Sequence, residues 1–127
     1  MVLQRLEIIL NSHFRIAYNQ IVDGIEMKII HQEEDLVMTE MNIQKGVCLP
    51  QHVHQSDHSA YLVKGKIQVV ANEIASVFIT GDSWCMRKEI VHYTEAIEDS
   101  VVLEVFNPKG EIEGFSISRA ADKKLYR

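Results

Sequence analysis

Residues 46–65 read GVCLPQHVHQSDHSAYLVKG. Three histidines fall within seven residues of this run: His52, His54 and His58, spaced H-x-H-x3-H. In an extended segment, side chains two apart project from the same face, so His52 and His54 bring their rings together. His58 shares their parity but is expected beyond a bend, so parity alone does not place it. Neutral imidazole is the commonest protein metal ligand and suits zinc, copper, iron and nickel. Six histidines in 127 residues make this internal, spaced trio a poor candidate for an accident of composition. The reading is a metal site.

Outward from this stretch, the chain has the size of one domain. Its apolar content of 46% is enough for a single core. A formal net charge of −5 argues against a nucleic-acid partner, which calls for a basic stripe. No apolar run approaches a membrane span, and MVLQRLEIIL (1–10) lacks the features of a signal peptide. Cys48 and Cys85 are too few for a disulfide framework; they are expected as reduced thiols in a cytoplasm, small buried hydrophobes rather than nucleophiles.

The pieces between Gly and Pro read as strands. QRLEIIL (4–10) fits a strand or a short helix, and HFRIAY (13–18) a weak strand. VDGI (22–25) turns into EMKIIHQ, EED (33–35) turns into LVMTEMNI (36–43), and QKG (44–46) ends that strand. After the histidines, AYLVKGKIQVV reads as a hairpin turning at Lys64-Gly65, with ANEIASVFIT continuing it to Gly81-Asp82. SWCMR, IVHYTEA and VVLEVF (101–106) follow, and Asn107-Pro108-Lys109-Gly110 stops the last of these. GFSIS (114–118) is a final candidate strand, before a polar tail. Many short strands with turns every eight to twelve residues give an all-β sandwich or barrel.

Gly46-x5-His52-x-His54-x3-His58-x6-Gly65 resembles the first motif of the cupin superfamily, with His58 where Glu is usual. GDSWCMRKEIVH (81–92) resembles the second, with His92 as the fourth ligand. Arg87 and Glu89 replace its usual Pro and Gly, so Glu89 must build a turn that normally uses glycine; Ala96 replaces the usual Asn. The resemblance implies a double-stranded β-helix, a jelly-roll barrel holding one divalent transition metal (Zn, Fe, Mn, Ni or Cu) on His52, His54, His58 and His92. It implies one cupin domain over 1–127, with a core of about 20–118, an N-terminal strand segment (1–19) and a tail (119–127). It also implies a homodimer, with the N-terminal segment a candidate for swapping.

The segment 96–108 is similar to the corresponding part of the pectin-degradation cupins that linearise unsaturated uronates. That likeness makes Glu104 the candidate acid/base and Phe106 a residue facing the metal. The Arg that would bind the sugar carboxylate falls on Gly110, beside Lys109. Tyr61, Tyr93 and Lys109 complete the candidate substrate contacts. Asp57, of opposite parity to the histidines, reads as a surface residue, and Trp84 as packing between sheets. Three functions remain open: a metal-dependent isomerase or lyase on a small carbohydrate, uronate or oxo-acid; a metal-dependent dioxygenase; and a non-enzymatic metal- or ligand-binding module.

Overall fold

In the run Val37–Ile43, burial alternates residue by residue: Val37, Thr39, Met41 and Ile43 are buried, and Met38, Glu40 and Asn42 are partly exposed. That period of two marks a strand with one face on a core. The computed structural model describes residues 19–110, and among these the same logic yields ten strands. They are β1 (Asn19–Val22), β2 (Ile25–Gln32), β3 (Val37–Ile43), β4 (Cys48–His52), β5 (His58–Lys64), β6 (Lys66–Ala71), β7 (Ile74–Ile79), β8 (Ser83–Met86), β9 (His92–Ala96) and β10 (Ser100–Phe106). A 3-10 turn, Pro108–Gly110, follows. The expected segments at 4–10, 13–18 and 114–118, and the tail, lie outside the described residues.

Two antiparallel sheets form, ordered β1-β2-β3-β10-β5-β8 and β4-β9-β6-β7. Their inner faces share one core: Ile25, Met27, Met41, Ile43, Ala60, Leu62 and Val102 from the larger sheet, Leu49, Ile67, Val69 and Ala96 from the smaller. Ile25, Leu62 and Ile67 are fully buried, each worth about 1.5–3 kcal/mol of transfer free energy. Trp84 on β8 stacks on Phe78 of β7, centroids 4.2 Å apart, and so bridges the two sheets. This is the jelly roll expected from the sequence.

Register arranges the interior in layers. Ile43 pairs with Ser100 and Ile25, and Ala96 with Ile67, at the apolar end. One layer on, Met41, Val102 and Leu62 align. Then come Thr39, Glu104 and Ala60, and last Val37, Phe106 and His58. In the smaller sheet Leu49 faces Thr94, and beyond them His52 faces His92. The interior therefore turns from aliphatic to polar toward the histidine end.

Two turns differ from the sequence reading. Lys64-Gly65 is not a hairpin: β5 and β6 lie in different sheets, and Gly65 is the corner between them. Gly65 has φ +110°, and a Cβ there would stand 2.5 Å from the Asp99 carbonyl oxygen and against Ser100. The same glycine signal serves a hairpin and a corner, so sequence does not separate them. The true hairpin, β6–β7, turns at Asn72-Glu73, both left-handed (φ 53° and 66°) as a two-residue type I′ turn requires.

Gly65→Ala is expected to destabilise the fold by about 2–5 kcal/mol, adding left-handed strain to overpacking against backbone. Gly81→Ala, at a left-handed position (φ +97°) with nothing within 4 Å, should lose only the strain. Urea denaturation of both variants checks the difference.

Candidate metal centre

β4 and β9 deliver the first two histidines. His52 ends β4 and His92 opens β9, directly opposite in the antiparallel pair. β4 is an edge strand, so Pro50 is tolerated there, beside an irregularity in register between Leu49 and His52. The Pro50 carbonyl accepts the His52 Nδ1–H at 2.7 Å, and the Ile90 carbonyl accepts that of His92 at 2.9 Å. Each bond fixes the tautomer and leaves Nε2 with a lone pair for a metal. His54 lies just past β4, where alternation continues through half-buried Val53. One nitrogen from each of His52, His54 and His92 lies within 4.8 Å of the others.

The chemistry of this donor set fits a divalent metal. All three rings are buried. Burial first, and the neighbouring His92 next, push His52 down to about 4. Burial and then His58 push His54 down to about 2. His92 is lowered by burial too, against the opposing hydrogen bond to Ile90. All three are therefore neutral imidazoles at physiological pH, the form in which histidine can bind a metal.

His58 stands beside this trio in a different arrangement. The chain bends at Gln55-Ser56, and His58 opens β5 on the other sheet. Its ring lies between His54 (centroids 3.8 Å) and Phe106 (4.0 Å, interplanar angle 4°). Its Nδ1–H donates to Glu104 Oε1 at 3.2 Å. Burial works to raise the Glu104 carboxyl, but the His58 hydrogen bond and the surrounding imidazoles outweigh it and hold Glu104 at about 2. Glu104 thus carries a negative charge on the inner wall, where with His92 and Thr94 it supplies the polar lining of a largely aliphatic interior cavity of about 20 Å3. That is room for about one water.

Glu104 and Phe106 are thus brought to the histidines. Tyr61 and Tyr93 are not: buried Ala60 and Leu62 flank the first, buried His92 and Thr94 the second, so both tyrosines face outward and are exposed. Lys109 is exposed in the 3-10 turn after β10, where its backbone N–H donates to Asn107 Oδ1 at 2.8 Å. Cys48 and Cys85 are free but exposed rather than buried, because alternation turns both outward.

The altered second motif takes the shape its residues dictate. Glu89 is left-handed (φ 67°), doing the work of the usual glycine, and its N–H donates to the His54 carbonyl at 2.8 Å. Asp57 is half exposed, yet its Oδ1 accepts the Lys88 N–H at 2.7 Å and its Oδ2 lies 3.6 Å from Arg87 Nε. Sequence parity placed Asp57 at the surface but gave no sign of this bond.

Two antiparallel sheets rolled face to face, with histidines from strand ends gathered inside, define a cupin. No protein-family model matches the chain. The pectin degradation protein KdgF of Dickeya dadantii is 32% identical over 94 residues, covering 72% of this chain and 86% of that protein. The chain belongs to the family of this pectin degradation protein. Among solved structures, KdgF from Halomonas sp. matches with a TM-score of 0.74 at 23% identity, covering 81% of this chain and 96% of that one. An RmlC-like cupin from Shewanella frigidimarina also gives 0.74, at 19% identity, covering 80% and 92%. A salicylate 1,2-dioxygenase variant from Pseudoaminobacter salicylatoxidans gives 0.66 at 10% identity, covering 69% of this chain and 27% of that one. No helix among the described residues is long and apolar enough to cross a membrane.

Two measurements check this electrostatic picture. The folded His52 and His54 rings titrate below the unfolded value of 6.5, so between pH 6.5 and 4 the unfolded chain binds more protons. Stability of the metal-free protein is thus full above pH 6.5 and falls on acidification, by about 2 kcal/mol per ring at pH 5. Urea titrations at pH 7 and 5 should show the loss, and His54→Gln should reduce it. Glu89→Gly relieves left-handed strain of about 1–2 kcal/mol, partly offset by unfolded-state freedom, for an expected net gain of about 0.5–1 kcal/mol by the same assay.

Proposed function

We propose that the protein is a metal-dependent enzyme of the isomerase or lyase type, acting on a small uronate or related oxo-acid. The observation that carries this reading is Glu104: an ionised carboxylate on the inner wall, hydrogen-bonded to His58. In a largely apolar strand such a group is costly unless paired, and its partner here is a histidine beside the candidate metal-binding trio. A divalent ion held by His52, His54 and His92 would supply Lewis acidity, polarising a carbonyl or ring oxygen. Glu104, its carboxylate oriented by the His58 Nδ1–H, would take the substrate proton through the one water that the interior cavity can hold. Phe106, flat against the His58 ring, keeps that ring in the plane the hydrogen bond needs.

The interior cavity is too small for a sugar, so the substrate binds outside it, at the histidine end. Lys109, in the turn that follows Glu104 and Phe106, is the cation we assign to a substrate carboxylate. Similarity to a pectin degradation protein supports a uronate as the first substrate class to try. The likeness to a dioxygenase, at 10% identity, reflects the shared barrel.

The test is purification without oxygen, metal analysis, and a panel of unsaturated uronates and enolisable oxo-acids with and without O₂. Turnover is expected without O₂ and should disappear on chelation. Glu104→Gln should lower it by roughly 10²–10⁴-fold while metal content is unchanged. Oxygen uptake would instead identify a dioxygenase. A loaded protein inert to the whole panel would point to a binding module.

A further inference from the structure

We infer that Asp57 is a positioning residue of the metal centre, fastening the loop that carries His92 to the loop that carries His54. The inference rests on the reading that His52, His54 and His92 take a metal. His52 is oriented within its own segment, by the carbonyl of Pro50 two residues back. His92 depends on the Ile90 carbonyl, which lies in the loop between β8 and β9. That loop is tied to the first motif at two successive residues. The Lys88 N–H donates to Asp57 Oδ1 at 2.7 Å, and the Glu89 N–H donates to the His54 carbonyl at 2.8 Å.

From Asp57 the path to the ligand is short: Lys88, then left-handed Glu89, then the Ile90 carbonyl on the His92 ring. A left-handed non-glycine residue is strained, so this loop holds its shape only if neighbouring bonds fix it. Asp57 and the His54 carbonyl supply those bonds. The Arg87 contact is secondary, because both its partners are solvent-exposed and the longer 3.6 Å separation is screened. The hydrogen bond to backbone, rather than the ion pair, is the working link.

The experiment compares wild type, Asp57→Ala, Asp57→Asn and Arg87→Ala by zinc titration calorimetry, by the visible absorption of bound Co²⁺, and by urea denaturation of the metal-free proteins. Groups that orient metal ligands alter affinity by about 10–100-fold, and Asp57→Ala is expected to weaken zinc binding toward that range and shift the Co²⁺ bands. Asp57→Asn keeps an oxygen acceptor for the Lys88 N–H, so it should restore affinity to within about 3-fold of wild type, since only the screened ion pair is lost. Arg87→Ala should match wild type. Because Asp57 is half exposed, alanine there leaves the core intact. Unchanged affinity and spectrum in Asp57→Ala, with only stability reduced, would overturn the inference and leave the metal centre standing. A wild-type protein that binds neither ion would remove both.

Discussion

Several imidazoles share one end of this barrel only because burial keeps them uncharged. The ring centroids of His52, His54 and His92 lie 4.3–5.1 Å apart, so a proton on any one would repel a second at short range in a medium that screens poorly. Burial drives the protons off and leaves a set of lone pairs facing one another. Such an arrangement could hold a cation. The backbone carbonyls of Pro50 and Ile90 complete it by taking the only N–H that each of two rings has to give.

Glu104 gives the cluster a negative charge and makes the inner wall chemically uneven. It sits one layer below the histidines, opposite Thr39 and Ala60, at the border between aliphatic and polar interior. The same carboxylate engages His58, whose ring is clasped between His54 and Phe106. His58 therefore connects the candidate metal-binding trio to the carboxylate, one sheet to the other. The group proposed to move a proton and the groups proposed to hold the ion are neighbours in one stack rather than separate devices.

Much of this was legible in the sequence, for definite physical reasons. The strand reading gave β2, β3, β6 and β10 to within a residue at each end, and motif spacing brought His92 to His52 and His54 from 40 and 38 positions away. Parity also held information that the sequence reading of the tyrosines did not use. Counting by twos from His58 reaches Ala60 and Leu62, and from His92 reaches Thr94 and Ala96, which leaves Tyr61 and Tyr93 outside. Other features have no local signature. The tie from Asp57 to Lys88 and the grip of Glu104 on His58 join residues far apart in the chain. The corner at Gly65 uses the same residue a hairpin would, and only the pairing of distant strands reveals the change of sheet.

That corner bears on how the molecule assembles. Because β5 turns away from β6, it finds its partners in β10 and β8, while β3 must wait for β10 and β4 for β9. Contacts of such high sequence separation require the chain to close long loops before any pairing rewards it, which slows folding relative to nearest-neighbour hairpins. β10, the strand that carries Glu104, is inserted between β3 and β5. The acidic wall and the histidines are therefore joined through pairings of high sequence separation rather than through any local hairpin.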